Sequence, residues 1–94
     1  MLTSKERAGL RSEANKLASI LHVGKSGVTP ELTESLSEAL EARELVKIDV
    51  LNNCEEDVRD IASKLSERTR SEIVQVIGRK MVFYRKSKKK TKLS

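Results

Sequence analysis

The 94-residue chain has one cysteine, one histidine, one proline, four glycines and no tryptophan; Phe83 and Tyr84 are its only aromatics. Each scarcity excludes something. A lone Cys54 forbids an internal disulfide and suits a reducing compartment. With His22 the only imidazole, the usual ligands of a structural zinc site are missing. No apolar run approaches the roughly 20 residues of a membrane-spanning helix. The opening stretch MLTSKERAGLRSEANK is charged throughout and lacks the apolar segment of a secretory signal. The expectation is one soluble domain in the cytoplasm, with no membrane partner.

Charge is abundant and unevenly placed. Residues 85–94, RKSKKKTKLS, hold six Lys/Arg and no acid, whereas residues 1–84 hold 13 Lys/Arg and 14 Asp/Glu. Within that body, residues 1–29 carry five bases against two acids, and residues 30–76 carry six against twelve. A chain basic at both ends and acidic in the middle suits a polyanion binder with one basic face. The expected division is a domain over 1–84 followed by a basic, flexible tail over 85–94.

The apolar residues are patterned. Thr3-Ser4-Lys5-Glu6 is a capping box, and Leu10, Ala14 and Leu17 follow at the spacing of one buried helical face. Arg7 and Arg11 lie one turn apart on another face. Ser19–Val23 reads as a short buried strand. Thr29-Pro30 opens a second helix, with a good N-cap and a proline at the first position, where no donor is needed. Its apolar face is Leu32, Leu36, Ala39 and Leu40, and Glu31, Glu34, Glu38 and Glu41 make the other side acidic. Val46, Ile48 and Val50 alternate with Lys47 and Asp49, a strand signal. Glu55, Glu56 and Asp57 suit the positive end of a third helix, whose core face is Val58, Ile61, Ala62 and Leu65. EIVQVI and MVFYR then flank a Gly78-Arg79 turn, a hairpin. The order α-β-α-β-α-β-β predicts a compact α/β sandwich, with parallel strands joined by crossovers and a final antiparallel pair.

The chemistry-bearing string is HVGKSGVTPEL, residues 22–32. A nucleotide-binding P-loop would need glycine at position 19, which is serine, and a helix starting at Lys25-Ser26 rather than at Pro30. Cys54 sits among acids that raise a thiol pKa, and is expected exposed or half-buried; His22 has no catalytic partner in view. No enzymatic constellation emerges. What remains is G-x-x-G. Gly24 and Gly27 let another backbone approach closely, successive amides in such a turn can point at one anion, and a helix N-terminus follows with its donors and partial positive charge. Lys25 adds a charge and Ser26 a hydroxyl. Glu31 and the acidic 52–57 loop pull the other way. With no aromatic platform, base stacking of the RRM kind is not expected.

The strings LHVGKSGVTPEL, ALEARELVKIDVL and VQVIGRKMVFYR, in this order and spacing from about Leu2 to Arg85, resemble the CRM domain (chloroplast RNA splicing and ribosome maturation). They are most similar to its small stand-alone bacterial YhbY-type members. The resemblance implies a fold similar to the C-terminal domain of translation initiation factor 3, with a four-stranded mixed sheet. It also implies an RNA-contacting loop at Gly24, Lys25, Ser26 and Gly27, and a bacterial role on precursors of the large ribosomal subunit. The expected partner is RNA, bound by a monomer without cofactor, small-molecule substrate or catalysis. Arg7, Arg11, Lys16, Arg79 and Lys80 are the candidates to widen the basic face. Asp49 departs from the basic residue frequent at its position in similar sequences. The alternative is a protein-interaction adaptor docking through the acidic face of the second helix, with RNA contact incidental.

Overall fold

Three helices and four strands alternate along the chain. The computed structural model describes residues 3–87: α1 (Ser4–Ala14), β1 (Leu21–Val23), α2 (Pro30–Arg43), β2 (Leu45–Val50), α3 (Val58–Thr69), β3 (Glu72–Ile77) and β4 (Lys80–Tyr84). The order matches the sequence expectation. The expected tail lies outside the described residues from position 88 onward.

The sheet order is β1-β2-β4-β3. β1 runs parallel to β2, with Leu21 opposite Ile48 and Val23 opposite Val50. β4 lies antiparallel between β2 and β3. Met81, Val82 and Phe83 of β4 are all buried, as suits a strand covered on both faces. β3 carries a register irregularity between Ile73 and Gln75 and takes the edge. Alternation along the strands then sorts the two faces. Val46, Ile48, Val50, Met81 and Phe83 pack with Leu36 and Leu40 of α2 and with Ile61 and Leu65 of α3. On the opposite face Leu45, Val74, Val82 and Tyr84 meet Leu10 and Ala14 of α1. The result is three layers, with α1 alone on one side.

Two expectations are corrected. Leu17 does not continue the buried face of α1. The helix stops at Ala14, tight turns place the Leu17 amide 3.0 Å from the Ala14 carbonyl, and the Leu17 side chain is 37% exposed. Cys54 is buried rather than exposed, because the 51–54 turn folds it into the core cluster, where a thiol packs as a small apolar group.

The chain beyond β4 is also tied down at first. The Arg85 guanidinium donates to the carbonyls of Thr69 and Ser37, both at 2.8 Å, and lies 3.4 Å from Glu41. The Ser87 amide donates to Glu44 at 2.7 Å, its hydroxyl donates to the Glu41 carbonyl at 2.6 Å, and the residue is fully buried. Residues 85–87, counted with the tail in the sequence reading, therefore clamp the C-terminal ends of α2 and α3 together. Arg85→Ala is expected to destabilise the fold by about 2 kcal/mol, since its charge-assisted bonds to the Thr69 and Ser37 carbonyls are lost. A urea transition would move to lower midpoint with its slope unchanged.

Candidate nucleic-acid interface

The parallel pair ends where the expected loop begins. The Leu51 amide donates to the Val23 carbonyl at 2.8 Å, and the Val50 amide donates to the Arg79 carbonyl at 2.7 Å. The Arg79 guanidinium reaches the Leu51 carbonyl at 3.2 Å. The ends of β1 and β2 and the β3–β4 turn are thus stitched side by side. Strand spacing puts the loop after β1 about 10 Å from Arg79, with β2 between them.

Gly24 to Gly27 form a closed turn, in which the Gly27 amide donates to the Gly24 carbonyl at 3.0 Å. Lys25 and Ser26 are its exposed tip. The two glycines do different work. Gly27 is buried, has φ +66°, and a Cβ there would collide with the Glu56 carboxylate. Gly24 has ordinary backbone angles, and a Cβ would meet only Leu51 Cδ1 at 3.9 Å and Asn53 Oδ1 at 4.0 Å.

Sequence reasoning named Glu56 only as an acid at the start of α3 and missed its contact with the turn. Its carboxylate lies against Gly27 and accepts from Lys64 Nζ at 2.7 Å. The Lys64 bond, with a smaller contribution from the Val28 amide, holds Glu56 below the usual range of its type. The acidic 52–57 loop does share this edge, but Glu56 is half-buried against the turn and paired with Lys64. The helix N-terminus offers less than its position suggested. Pro30 has no amide hydrogen, the Leu32 amide is taken by Thr29 Oγ1 at 3.1 Å, and Glu31 stands in the first turn. The outward chemistry is therefore Lys25 and Ser26 rather than a free helix end.

The structure groups only some of the candidate bases with this turn. Arg79 and Lys80 share its edge of the sheet and are exposed. Lys80 Nζ pairs with Asp49 Oδ1 at 2.9 Å, and Ser19 Oγ donates to the same oxygen at 2.7 Å. Asp49 is consequently held below the ordinary carboxylate range, by the Lys80 bond first and Ser19 second. Arg7 is elsewhere: its guanidinium donates to the Ile73 carbonyl on β3 at 2.8 Å, at the far side of the sheet from β1. Arg11, one turn further along α1, is exposed. Lys16 lies at the opposite end of β1, before its first residue, beside Arg43 and Lys47. Those two cations were not singled out from the sequence. The signal for Lys47 was its alternation with buried Val46 and Ile48, which sends it to the α1 side. Among the described residues no cluster of His, Cys, Asp or Glu could hold a metal ion, and no helix is long and apolar enough to cross a membrane.

Gly27→Ala is expected to cost about 1–2 kcal/mol of stability from its left-handed backbone. Gly24→Ala should stay within about 0.5 kcal/mol of wild type, and thermal melts of the two variants check the contrast. Glu56 has a depressed pKa, so its hold on the turn is complete above its ordinary value of 4.5 and is lost as pH falls through the lower folded value. The Gly27 and Val28 amide resonances should therefore titrate with a midpoint below 4.5.

Comparison with known proteins agrees with this architecture. The chain is 50% identical over 88 residues to the probable RNA-binding protein YqeI of Bacillus subtilis, covering 94% of this chain and 92% of that one. It is 30% identical over 93 residues to the chloroplastic CRS2-associated factor 1 of Arabidopsis thaliana, covering 99% of this chain but only 13% of that much longer protein. The solution structure of a Staphylococcus aureus protein, described as a candidate RNA binder, superposes with a TM-score of 0.80 at 45% identity, over 94% of this chain and 92% of that one. The family model of the CRS1 / YhbY (CRM) domain matches residues 2–85. With the three-layer fold and the glycine-bounded turn at the end of β1, that match over nearly the whole described chain makes this protein a member of the CRM domain family.

Proposed function

We propose that the chain is a non-catalytic RNA-binding protein whose Gly24–Gly27 turn grips backbone phosphate, and that it acts in the cytoplasm on ribosomal RNA or the precursor of the large ribosomal subunit. The observation that carries this reading is the exposed Lys25-Ser26 tip, held on the same sheet edge as Arg79 and Lys80. A phosphate can approach Gly24 without meeting a Cβ, and three cations lie within reach of neighbouring phosphates. Such contacts supply affinity and register without reading sequence. The Bacillus subtilis relative and the Staphylococcus aureus structure are both described as RNA binders, which supports RNA as the polyanion. The ribosomal target rests on the resemblance to the small bacterial members. The match covers 92% of the small Bacillus subtilis protein and 13% of the chloroplast factor. A cytoplasmic setting accords with the free thiol of Cys54.

Gly24→Asp places an anion at the point of closest approach and should weaken binding of structured RNA by about tenfold or more. Lys25→Ala should flatten the plot of log affinity against log salt by about 1 unit. Unchanged affinity and slope in both variants would sink the loop as a phosphate grip. Asp49→Asn should do the reverse, releasing Lys80 and raising affinity severalfold with a steeper salt dependence. For the ribosomal target, the protein should sediment at low salt with precursors of the large subunit. Its absence from all ribosomal particles would refute that assignment.

A further inference from the structure

The end of β1 away from the glycine turn carries a second feature. An open cleft of about 600 Å³ lies between the chain following α1 and the start of β2. Its floor is apolar, from Leu17, Ile20 and Leu45, and its rim carries Lys16, Arg43 and Lys47 against a single acid, Glu13. Leu17 and Ile20 are 37% and 38% exposed, two of the four large apolar side chains in the described residues that remain open to water. The Lys47 ammonium is held there, 3.4 Å from the Leu17 carbonyl. None of the three rim cations is ion-paired within the described residues.

An apolar floor under a net positive rim asks for a ligand with a flat, weakly polar body and an anionic arm. We propose that this cleft receives one unpaired base of the bound RNA, with the Arg43 guanidinium over its face and Lys16 and Lys47 on the adjoining phosphates. The proposal rests on the RNA-binding reading above and deepens it. Three considerations lead to a base rather than an apolar peptide. The cationic rim complements a polyanion. The volume lies in the range of small-ligand sites, too small for a helix. Among the described residues Phe83 is fully buried and Tyr84 is partly buried beneath α1, so the one well-exposed ring is His22, on the strand that leads to the cleft. In the cleft itself an arginine plane and apolar side chains are available for stacking. Geometry joins the two sites. Ile20 to Gly24 spans about 13 Å at strand rise, along β1, which is the open edge of the sheet. Ile20 and exposed His22 alternate to the same side as Lys47 and Asp49. RNA gripped at the turn can follow that edge and reach the cleft within a few nucleotides. Only an unpaired base can turn in, since paired bases keep their faces inside the stack.

The test uses two hairpin RNAs identical except for one bulged 2-aminopurine, titrated by anisotropy and by 2-aminopurine fluorescence against the full chain. Wild type should bind the bulged RNA about tenfold more tightly than the paired one, the worth of one stacked base, with a change in fluorescence on binding. Leu17→Ser/Ile20→Ser and, separately, Arg43→Gln should lose that preference and the fluorescence change, yet bind paired RNA nearly as wild type does. Both changes fall at exposed positions, and a thermal melt confirms folding. Gly24→Asp should instead weaken both RNAs equally and keep the preference. Equal affinity of wild type for the two RNAs, or a preference that survives both cleft variants, would overturn the proposal. If Gly24→Asp changes nothing while the cleft variants abolish the preference, the phosphate turn is refuted and the cleft stands.

Discussion

β2 is the strand on which the sheet edge carrying the glycine turn depends. Its last residues donate backbone hydrogen bonds to both neighbours, from Leu51 to Val23 on one side and from Val50 to Arg79 on the other. Val46, Ile48 and Val50 are buried beneath them. A slip of one residue in this strand would send those three side chains to the wrong face, so the register is strongly determined by the core. The same register sets the turn after β1 and the β3–β4 hairpin side by side. Core packing and the spacing of the surface charges are in this way one constraint.

Glu56 gives that edge a second layer of control. The glycine turn has a carboxylate against it, paired to Lys64 and pressed on Gly27. The negative charge is balanced by that lysine, and the contact braces the turn from its α3 side. Asp49 is treated alike, by Lys80 and Ser19. Both acids lie close to the basic surface, and each is held by a lysine that RNA would otherwise attract. The positive field of the face is thus weaker than its count of bases implies.

Much of the frame was legible in the chain itself. The Thr3 capping box, the Thr29-Pro30 helix start and the alternation in β2 stand in the structure where local chemistry put them, because each signal is satisfied within a few residues. What failed was set by distant partners. The spacing of Leu17 fitted α1, but the chain must leave that helix early to enter β1 beside β2. Cys54 looked exposed among its acids until the 51–54 turn folded inward. Arg7 looked like a surface charge, yet it serves a β3 carbonyl 66 positions away. At the candidate site the glycines and Lys25 could be read directly. Lys16 could be named but not located, and its neighbours Arg43 and Lys47 come together only through the sheet order.

The clamp made by Arg85 and Ser87 has a consequence for how α2 is held. Ser87 is fastened at the C-terminal end of α2, whose N-terminal end abuts the glycine turn. The 14 residues of that helix amount to about 21 Å of rise. The clamp and the glycine turn therefore brace one helix from its two ends, at opposite poles of the domain.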